Sequence, residues 1–331
     1  MTTFAELTTT RVGGPIAEVV TASTDDEVIA ALTADAVVLG GGSNVIAADT
    51  PFTGRVVRIA TTGIEVQRDG DRVLVEAAAG EPWDDLVAFT VEQGWSGIDA
   101  LAGIPGLVGA TPIQNVGAYG QDIAQVVSHV TVLDRTTREV VSLRGDECGF
   151  GYRTSRFKAQ PQRWCVLSVG LVLDSSGTSA VRYADLARAL GVALDGRAPA
   201  SRVRETVLDL RRAKGMVLDP SDPDTRSTGS FFTNPIVDAD VASALDGCPR
   251  YPSDRGVKVS AAWLIENAGI ERGYSRDGRV RVSTKHTLAL ANAGGGTADD
   301  VLALAREIRD RVQAEFGITL VPEPVLLGCS L

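Results

Sequence analysis

Residues 101–120 read LAGIPGLVGATPIQNVGAYG, and the interpretation of the whole chain starts from them. The stretch holds five glycines and three alanines, carries no charged side chain and is interrupted by Pro105 and Pro112. Because proline fixes φ and removes an N–H donor, neither a long helix nor a long strand is expected here. A solvated loop is normally polar. Small apolar residues in a loop therefore predict either a backbone lying against a bound cofactor or a tightly packed structural crossover.

The composition indicates a globular protein of two or three domains. The 331 residues are 44% hydrophobic and 22% charged, which is ordinary for a globular chain. A formal net charge of -10 argues against a nucleic-acid-coating role but leaves room for an anionic small molecule. Four cysteines without a C-x-x-C pair, together with only two histidines, do not predict a metal site. With no signal-peptide pattern and no apolar run of about 18 residues, a reduced cytoplasmic protein is expected.

The N-terminal part predicts a strand, a helix and a second strand that leads into a glycine turn. The strands are expected over 16–20 and 36–39, and Thr24 with the acidic residues after it marks a helix start. GGGSN follows at 40–44 and suggests phosphate contacts through backbone N–H groups. A Rossmann fingerprint is not met, because the third glycine is missing and residues 47–55 show no helical period. Any nucleotide here would be bound on a different fold.

The remaining pattern alternates short strands with a few helices, which predicts an α+β protein. Strands are expected over 55–59, 64–68, 72–77, 126–134, 139–143, 166–173 and 287–292, with Asp69-Gly70 as a hairpin turn. Helices are expected over 82–93, 183–190, 201–212, 260–267 and 299–316, the last capped by Thr297 and ended by Gly317. The polar connector at 215–228 predicts a domain boundary.

Five segments together resemble one enzyme family. They are GGGSN at 40–44, AGIPGLVGATPIQNVGAYG at 102–120, GYRTSRFK at 151–158, GSFFTNP at 229–235 and VPEPVLLG at 321–328. In this order they resemble the UDP-N-acetylenolpyruvoylglucosamine reductases, in the type I branch that carries a mobile tyrosine loop. The resemblance runs from about residue 10 to residue 328.

The resemblance implies a fold and a reaction. The fold is a FAD-binding domain of the vanillyl-alcohol-oxidase (PCMH) type, in lobes over 1–60 and 61–214, plus a C-terminal α+β substrate-binding domain over 215–318. Residues 319–331 would return to the active site. NADPH would reduce non-covalent FAD, and hydride would then pass from flavin N5 to C3 of UDP-N-acetylglucosamine enolpyruvate. Protonation at C2 by an enzyme acid would give UDP-N-acetylmuramate for peptidoglycan.

The resemblance also implies three catalytic residues, Arg153, Ser230 and Glu323. Reduction of an enol ether beside a carboxylate builds negative charge on that carboxylate, which Arg153 would receive with a bidentate guanidinium. Ser230 would give the proton to C2, and a neighbour or a water must polarise its hydroxyl because an unaided hydroxyl is a poor acid. Glu323 would contact the same carboxylate, which requires a proton between the two carboxyl groups.

Cofactor and substrate contacts are implied in the same way. The FAD contacts would be Gly40, Gly41, Gly42, Ser43 and Asn44 at the diphosphate, and Pro105, Asn115, Gly117, Ala118 and Tyr119 along the ribityl chain and ring. The substrate contacts would be Tyr183 on the mobile loop, Lys214, Asn234, Tyr251 and Lys258 at the uridine or diphosphate, and His286, where some members have glutamine.

Two other functions stay open from the residues alone. One is another flavin oxidase or dehydrogenase of the PCMH type, and the other is a non-catalytic binder of flavin or nucleotide sugar. The oxidase would lack the GSFFTNP and VPEP segments, which this chain has. The binder would tolerate the loss of Arg153, Ser230 or Glu323, and all three are retained. The expected partners are small molecules, with no nucleic acid and no membrane, and the expected state is a monomer.

Overall fold

Short strands and helices alternate through the N-terminal part of the chain, as the sequence predicts. The elements are α1 Phe4–Leu7, β1 Ile16–Ala22, α2 Asp25–Ala31, β2 Val37–Leu39, β3 Val45–Ala47 and β4 Phe52–Ile59. Thr24 caps α2, since its side chain accepts the N–H of Glu27. One sheet has the order β1-β4-β2, with β2 and β4 parallel, so β4 separates the two strands of the predicted β–α–β unit.

A five-stranded antiparallel sheet follows and accounts for most of the predicted strands. The strands of the sheet are β5 Ile64–Asp69, β6 Arg72–Ala78, β9 Val127–Asp134, β10 Glu139–Arg144 and β11 Trp164–Asp174. Two short strands between β6 and β9 are β7 Gly117–Ala118 and β8 Gln121–Asp122. The sheet order is β10-β9-β11-β6-β5, while β7 and β8 form a small ladder of their own. Asp69 pairs with Arg72 and Gly70 has a φ of +58°, which confirms the predicted hairpin turn.

The helices of this region are α3 Trp83–Glu92, α4 Arg156–Ala159, α5 Ala184–Leu190 and α6 Ala200–Ala213, and β12 Thr178–Ala180 pairs with β13 Arg197–Pro199. The predicted ends of α3 hold, because Pro82 precedes the helix and Gly94 follows it with a φ of +78°. α6 packs against α3, α5 and a 3₁₀ turn at Asp99–Leu101.

The C-terminal part contains three helices and several short strands. They are β14 Ile236–Val237, α7 Ala239–Ser243, β15 Arg250–Ser253, β16 Gly256–Val259, α8 Ala261–Asn267, β17 Val280–Val282, β18 Leu290–Asn292, α9 Ala298–Phe316 and β19 Val325–Leu327. The strand predicted over 287–292 is shorter, because Ala289 donates its N–H to His286 O (3.0 Å) and closes a turn there. β19 pairs in parallel with β3, which lies about 280 residues earlier in the chain.

The structure, a computed structural model, describes residues 1–253 and 255–331, and these divide into two compact units. The first unit consists of Met1–Ile16, Gly42–Phe52 and Lys214–Leu331. The second unit consists of Ala17–Gly41 and Thr53–Ala213. The domain boundary at the connector 215–228 stays a prediction. The division into FAD-binding lobes at residue 60 stays a prediction.

The core of the first unit surrounds α9, the longest helix. Val12 and Ile46, from the two N-terminal segments, are fully buried in the same cluster as Leu264 of α8 and Ile308 of α9. The hydrophobic effect of this shared burial joins three distant segments of the chain into one unit.

The N-terminus of α9 allows a direct test of the predicted cap. Thr297 Oγ1 accepts the N–H of Asp300 (3.1 Å), and Asp300 Oδ2 accepts the N–H of Thr297 (2.9 Å), which forms a capping box. We expect Thr297→Ala to lower the free energy of unfolding by about 1 kcal/mol, because the N–H of Asp300 loses its acceptor. Urea unfolding measures the loss, with the exposed Thr62→Ala as control. Equal unfolding curves for the two variants would contradict the capping role.

Candidate functional site

Residues 101–120, called the glycine loop from here on, form neither a long helix nor a long strand, as predicted. They contain the end of one 3₁₀ turn, a second 3₁₀ turn at Val108–Ala110, and β7. The loop is bonded to the connection between β6 and α3: Val108 donates its N–H to Glu81 O (2.9 Å) and Gly109 donates to Ala79 O (2.9 Å). A Cβ on Gly109 would lie 2.5 Å from Ala79 Cβ. Part of the glycine content therefore serves packing.

Two glycine-rich segments of the second unit approach each other by their backbones. Gly40 and Gly41 follow β2, and a Cβ on Gly41 would lie 3.0 Å from the Cα of Gly106 in the glycine loop. No side chain can stand between backbones that are this close. A surface of bare backbone fits an extended cofactor with a diphosphate, because N–H groups can reach the phosphate oxygens. The residues present thus fit FAD at the segments where the sequence places it.

Three of the predicted site residues have the left-handed backbone conformation that side chains other than glycine rarely adopt. They are Asn115, Tyr119 and Arg153, with φ values of +48°, +49° and +52°. The surroundings of Asn115 hold it in place: its Oδ1 accepts the N–H of Ala124 (3.1 Å) and its Nδ2 donates to Gly151 O (3.1 Å). Such residues concentrate at functional sites, since their cost must be offset by neighbouring contacts.

Arg153 lies against the glycine loop. Its Nη2 donates to Gly117 O (2.7 Å), and its Nη1 is 3.4 Å from Asn115 O. The carbonyl of Arg153 in turn accepts from Lys158 Nζ (3.1 Å). A Cβ on Gly117 would lie 3.3 Å from Arg153 Nη1, so a larger residue would crowd the guanidinium. The structure therefore brings a predicted catalytic cation to a predicted cofactor segment.

Tyr119 and Tyr183 meet at the end of the glycine loop. Their rings are edge-to-face, with centroids 5.4 Å apart. Burial raises the pKa of the Tyr119 phenol, and the nearby Arg211 acts in the opposite direction. Tyr183 occupies the position before the first residue of α5. A residue predicted to contact FAD thus touches the residue predicted to close over the substrate.

Sequence reasoning missed the charged residues that hold the start of the glycine loop. Asp84 Oδ1 accepts the N–H of Gly103 (2.6 Å), and Asp84 Oδ2 accepts from Arg204 Nη2 (3.3 Å). Arg211 Nη2 donates to Gly103 O (3.2 Å), and burial lowers the pKa of this arginine. Arg204 and Arg211 are seven residues apart on α6, and this helical spacing on a half-buried face was the available signal.

In the first unit, Ser230 is held by a buried aromatic pair. Phe231 and Phe232 are 0% and 1% exposed and fix the GSFF segment, and Phe231 donates its N–H to Leu288 O (2.7 Å). Ser230 Oγ lies 3.4 Å from His286 Nε2, which is a hydrogen-bonding distance. The structure therefore places two predicted site residues side by side.

Glu323 is carried by the segment directly beside Ser230. Its N–H donates to Phe231 O (2.8 Å), while Asn44 O accepts the N–H of Val325 (3.0 Å). Asn44 Nδ2 is 3.5 Å from Glu323 O. In the first unit, the end of GGGSN, the GSFF segment and the VPEP segment are thus neighbours.

The residues of the first unit that are predicted to contact the substrate lie on different elements. Tyr251 and Lys258 are opposite each other in β15 and β16, with Lys258 Nζ 5.8 Å from the Tyr251 ring centroid. Asn234 Oδ1 accepts the N–H of Ala261 at the start of α8 (2.9 Å). Lys214 directly follows α6. The roles of these four residues toward a substrate stay predictions. The FAD contacts of Gly42, Ser43, Pro105 and Ala118 stay predictions as well.

The described residues also limit other chemistry. Within 1–253 and 255–331, no group of three His, Cys, Asp or Glu side chains is placed to hold a metal ion. In the same residues, no helix is both long and apolar enough to cross a membrane. All four cysteines are free, and burial raises the pKa of the Cys165 thiol to about 12.

Comparison with known proteins gives one consistent result. A family model described as FAD binding domain matches residues 16–143. A second model, UDP-N-acetylenolpyruvoylglucosamine reductase, C-terminal domain, matches residues 220–327.

Individual relatives match over nearly their whole length. A UDP-N-acetylenolpyruvoylglucosamine reductase from Streptomyces avermitilis is 52% identical, with 99% of this chain and 94% of the relative covered. The enzyme of that name from Thermobifida fusca is 51% identical, with 99% and 97% covered. The crystal structure of UDP-N-acetylenolpyruvylglucosamine reductase from Thermus caldophilus matches with a TM-score of 0.68 and 27% identity, covering 98% of this chain and 97% of that one.

Proposed function

Because the chain belongs to the UDP-N-acetylenolpyruvoylglucosamine reductase family, we propose that Arg153, Ser230 and Glu323 carry out the family's reaction in it. The protein is a FAD-containing oxidoreductase of peptidoglycan precursor synthesis, which reduces UDP-N-acetylglucosamine enolpyruvate to UDP-N-acetylmuramate with NADPH as co-substrate. The glycine turn at Gly40 and Gly41 and the glycine loop would hold FAD, which would supply the chemistry of hydride transfer between NADPH and the substrate.

Arg153 holds the charge that develops on the substrate carboxylate. Its guanidinium is fixed by the carbonyls of Gly117 and Asn115, so it is oriented before substrate arrives. A preoriented planar cation stabilises a carboxylate more strongly as negative charge builds on it. The bond from Arg153 to Gly117 is the observation that best supports the proposal, because it joins the charge-stabilising residue to the cofactor segment.

Ser230 donates the proton to C2 of the substrate. A serine hydroxyl needs a polarising neighbour, and His286 Nε2 at 3.4 Å is one. Glu323 lies on the segment bonded to Phe231 and contacts the substrate carboxylate through a shared proton.

The substrate contacts follow from charge and position. Lys214 and Lys258 bind the diphosphate. In a chain of net charge -10, two local cations are needed to attract a group that is itself negative. Asn234 and Tyr251 contact the uridine end, and Tyr183 closes over the sugar nucleotide. We further propose that the protein works as a cytoplasmic monomer whose only partners are its small-molecule substrates.

An anaerobic absorbance titration tests the function. We expect a yellow protein whose flavin band is bleached by NADPH and recovers only when UDP-N-acetylglucosamine enolpyruvate is added. Recovery only on admission of oxygen would instead support a flavin oxidase of the same fold. A colourless protein that takes up no added FAD would overturn the cofactor assignment and leave the glycine loop as a structural crossover.

The charge-stabilising role predicts the effect of Arg153→Lys. Lysine keeps the charge but loses the planar fork that reaches the carbonyls of Gly117 and Asn115. We expect sugar-nucleotide reduction to slow by about 10-fold, the equivalent of about 1.4 kcal/mol. Stopped-flow flavin reoxidation measures the rate, with the exposed Arg144→Lys as the matched control. Equal rates in the two variants would show that Arg153 does not stabilise the charge on the substrate carboxylate.

A further inference from the structure

Asp99 is a buried carboxyl group on which two parts of the second unit converge. It is 0% exposed, and its Oδ1 accepts from Gly97 N (3.0 Å), Gln121 Nε2 (3.2 Å) and Ser179 Oγ (2.6 Å). These partners are neutral groups, and among the described residues Asp99 Oδ2 has no hydrogen-bond partner. Burying a carboxyl group is costly unless its hydrogen bonds return the energy. Three donors on one oxygen therefore indicate that Asp99 Oδ1 fixes the positions of the segments that carry these donors.

One arm of this network runs through Gln121 to Arg153. Gln121 uses both ends of its amide, since its Oε1 accepts the N–H of Ala100 (2.8 Å) while its Nε2 binds Asp99. In the β7–β8 ladder Gln121 is paired with Ala118. The residue before Ala118, Gly117, offers the carbonyl that Arg153 binds at 2.7 Å. A shift of Gln121 would therefore move this carbonyl and the guanidinium with it.

The other arm runs through Ser179 to Tyr183. Ser179 is 5% exposed, lies in β12 and is paired with Ala198 of β13. Four residues later the chain reaches Tyr183, after the fully buried Val181. The segment from Ser179 to Tyr183 is short and packed, so a displacement of Ser179 is passed on to Tyr183. The bond from Ser179 to Asp99 therefore fixes the position of Tyr183.

We propose that Asp99 is a positioning residue that holds the Arg153-bearing and Tyr183-bearing segments in one fixed arrangement. The two arms start from a single oxygen and meet again where the rings of Tyr119 and Tyr183 are in contact. Asp99 acts through Gln121 and Ser179 and touches no reacting atom. The inference rests on the proposed function, since it takes from there the roles of Arg153 and Tyr183.

Variants of each arm separate this role from general stability. We expect Ser179→Ala to raise the KM for UDP-N-acetylglucosamine enolpyruvate about 5- to 10-fold with kcat within about 2-fold. The variant removes the bond that holds the Tyr183-bearing segment, while Gln121 loses only its long contact with Ser179 Oγ (3.4 Å) and keeps its bond to Asp99 (3.2 Å). Gln121→Met should lower kcat about 10-fold with little change in KM and alter the visible spectrum of bound flavin, because Gly117 and Arg153 move. Asp99→Leu, which removes the accepting oxygen, should show both effects, and adding Ser179→Ala to it should change KM by less than about 2-fold.

The controls decide between the explanations. The exposed Asp209→Asn, which alters a surface pair with Arg212, should leave KM, kcat and the flavin spectrum unchanged. The single-arm variants keep Asp99 and so keep the proposal testable even where Asp99→Leu does not fold. If the Asp99, Gln121 and Ser179 variants lower only the melting temperature, Asp99 is a structural residue and the proposal is wrong.

A failure of the proposed function would be seen separately. If Arg153→Lys and Tyr183→Ala also have the kinetics of the unaltered enzyme, the residue roles themselves are wrong. If those two variants are impaired while the Asp99, Gln121 and Ser179 variants are not, only the positioning role is overturned.

Discussion

Ser230→Ala is expected to slow sugar-nucleotide reduction by about 10²- to 10⁴-fold, the usual worth of a positioned proton donor. The buried Phe231 and Phe232 fix the backbone at Ser230, and His286 Nε2 lies 3.4 Å from its hydroxyl, so alanine removes the proton donor without disturbing its support. Reduction of the flavin by NADPH needs no proton at C2 and should keep its normal rate.

Two half-reactions measured by anaerobic stopped flow test this expectation. NADPH is mixed with the oxidised enzyme in one experiment, and UDP-N-acetylglucosamine enolpyruvate with the reduced enzyme in the other. Ser243→Ala is the matched control, because Ser243 is exposed and the one described bond of its hydroxyl goes to the backbone carbonyl of Asp240 in the same helix. If Ser230→Ala reoxidises as fast as this control, another group supplies the proton. A loss in both half-reactions would indicate damage to cofactor binding instead.

Asp224→Asn is expected to lower the free energy of unfolding by about 2 to 3 kcal/mol at pH 7. Asp224 is 1% exposed; its Oδ1 accepts from Arg281 Nη2 (2.8 Å) and its Oδ2 accepts the N–H of Thr284 (3.0 Å). Asparagine cannot accept at both positions, so a donor of Arg281 or Thr284 loses its partner. Breaking a fully buried pair costs about 3 to 5 kcal/mol, and Arg281 retains some hydration because it is 30% exposed.

The loss should depend on pH in a definite direction. Burial acts to raise the pKa of Asp224, but the hydrogen bond from Thr284 and the charge of Arg281 outweigh it, so the pKa is held below its ordinary value. A carboxyl group whose pKa is lower in the folded state contributes stability that is fully present above its unfolded-state pKa of about 3.9. This contribution is lost as the pH falls through the folded-state pKa. The difference between the two proteins should therefore be full at pH 7 and shrink below about pH 4.

Urea unfolding at pH 7 and at about pH 3 measures both quantities. The exposed Asp246→Asn serves as control and should follow the unaltered protein at each pH. An equal deficit of Asp224→Asn at both pH values would show that its effect comes from packing rather than from the charge.

Local signals account for what the sequence predicted well. Thr24 and Thr297 mark helix starts, and Gly94 and Gly317 mark helix ends, because caps and left-handed glycines act within one turn of the chain. The parallel pairing of β3 with β19 was not predicted. Three-residue strands about 280 residues apart have no periodicity of their own, and only the tertiary fold brings them together.

In the candidate site, too, the sequence predicted the local motifs but not the contacts between distant segments. The segments around Arg153, Ser230 and Glu323 were found as motifs, since each is a compact run of sequence. Asp84 and Asp99 were not found, because their partners come from distant segments. The only trace of Asp99 is a single acidic residue between Ile98 and Ala100, and an isolated charge in an apolar run is as common on surfaces.

The division of the first unit among three chain segments has a consequence for synthesis on the ribosome. The second unit is complete once residue 213 has emerged, whereas the first unit still lacks α9 and β19. Val12 and Ile46 then remain without their core partners in α8 and α9 until residues 214–331 have been made. Domains fold as units during translation. A nascent chain of this length therefore contains a folded second unit, while the apolar side chains of the N-terminal segments of the first unit are still exposed. Chaperone demand and losses to proteolysis should therefore concentrate in that interval.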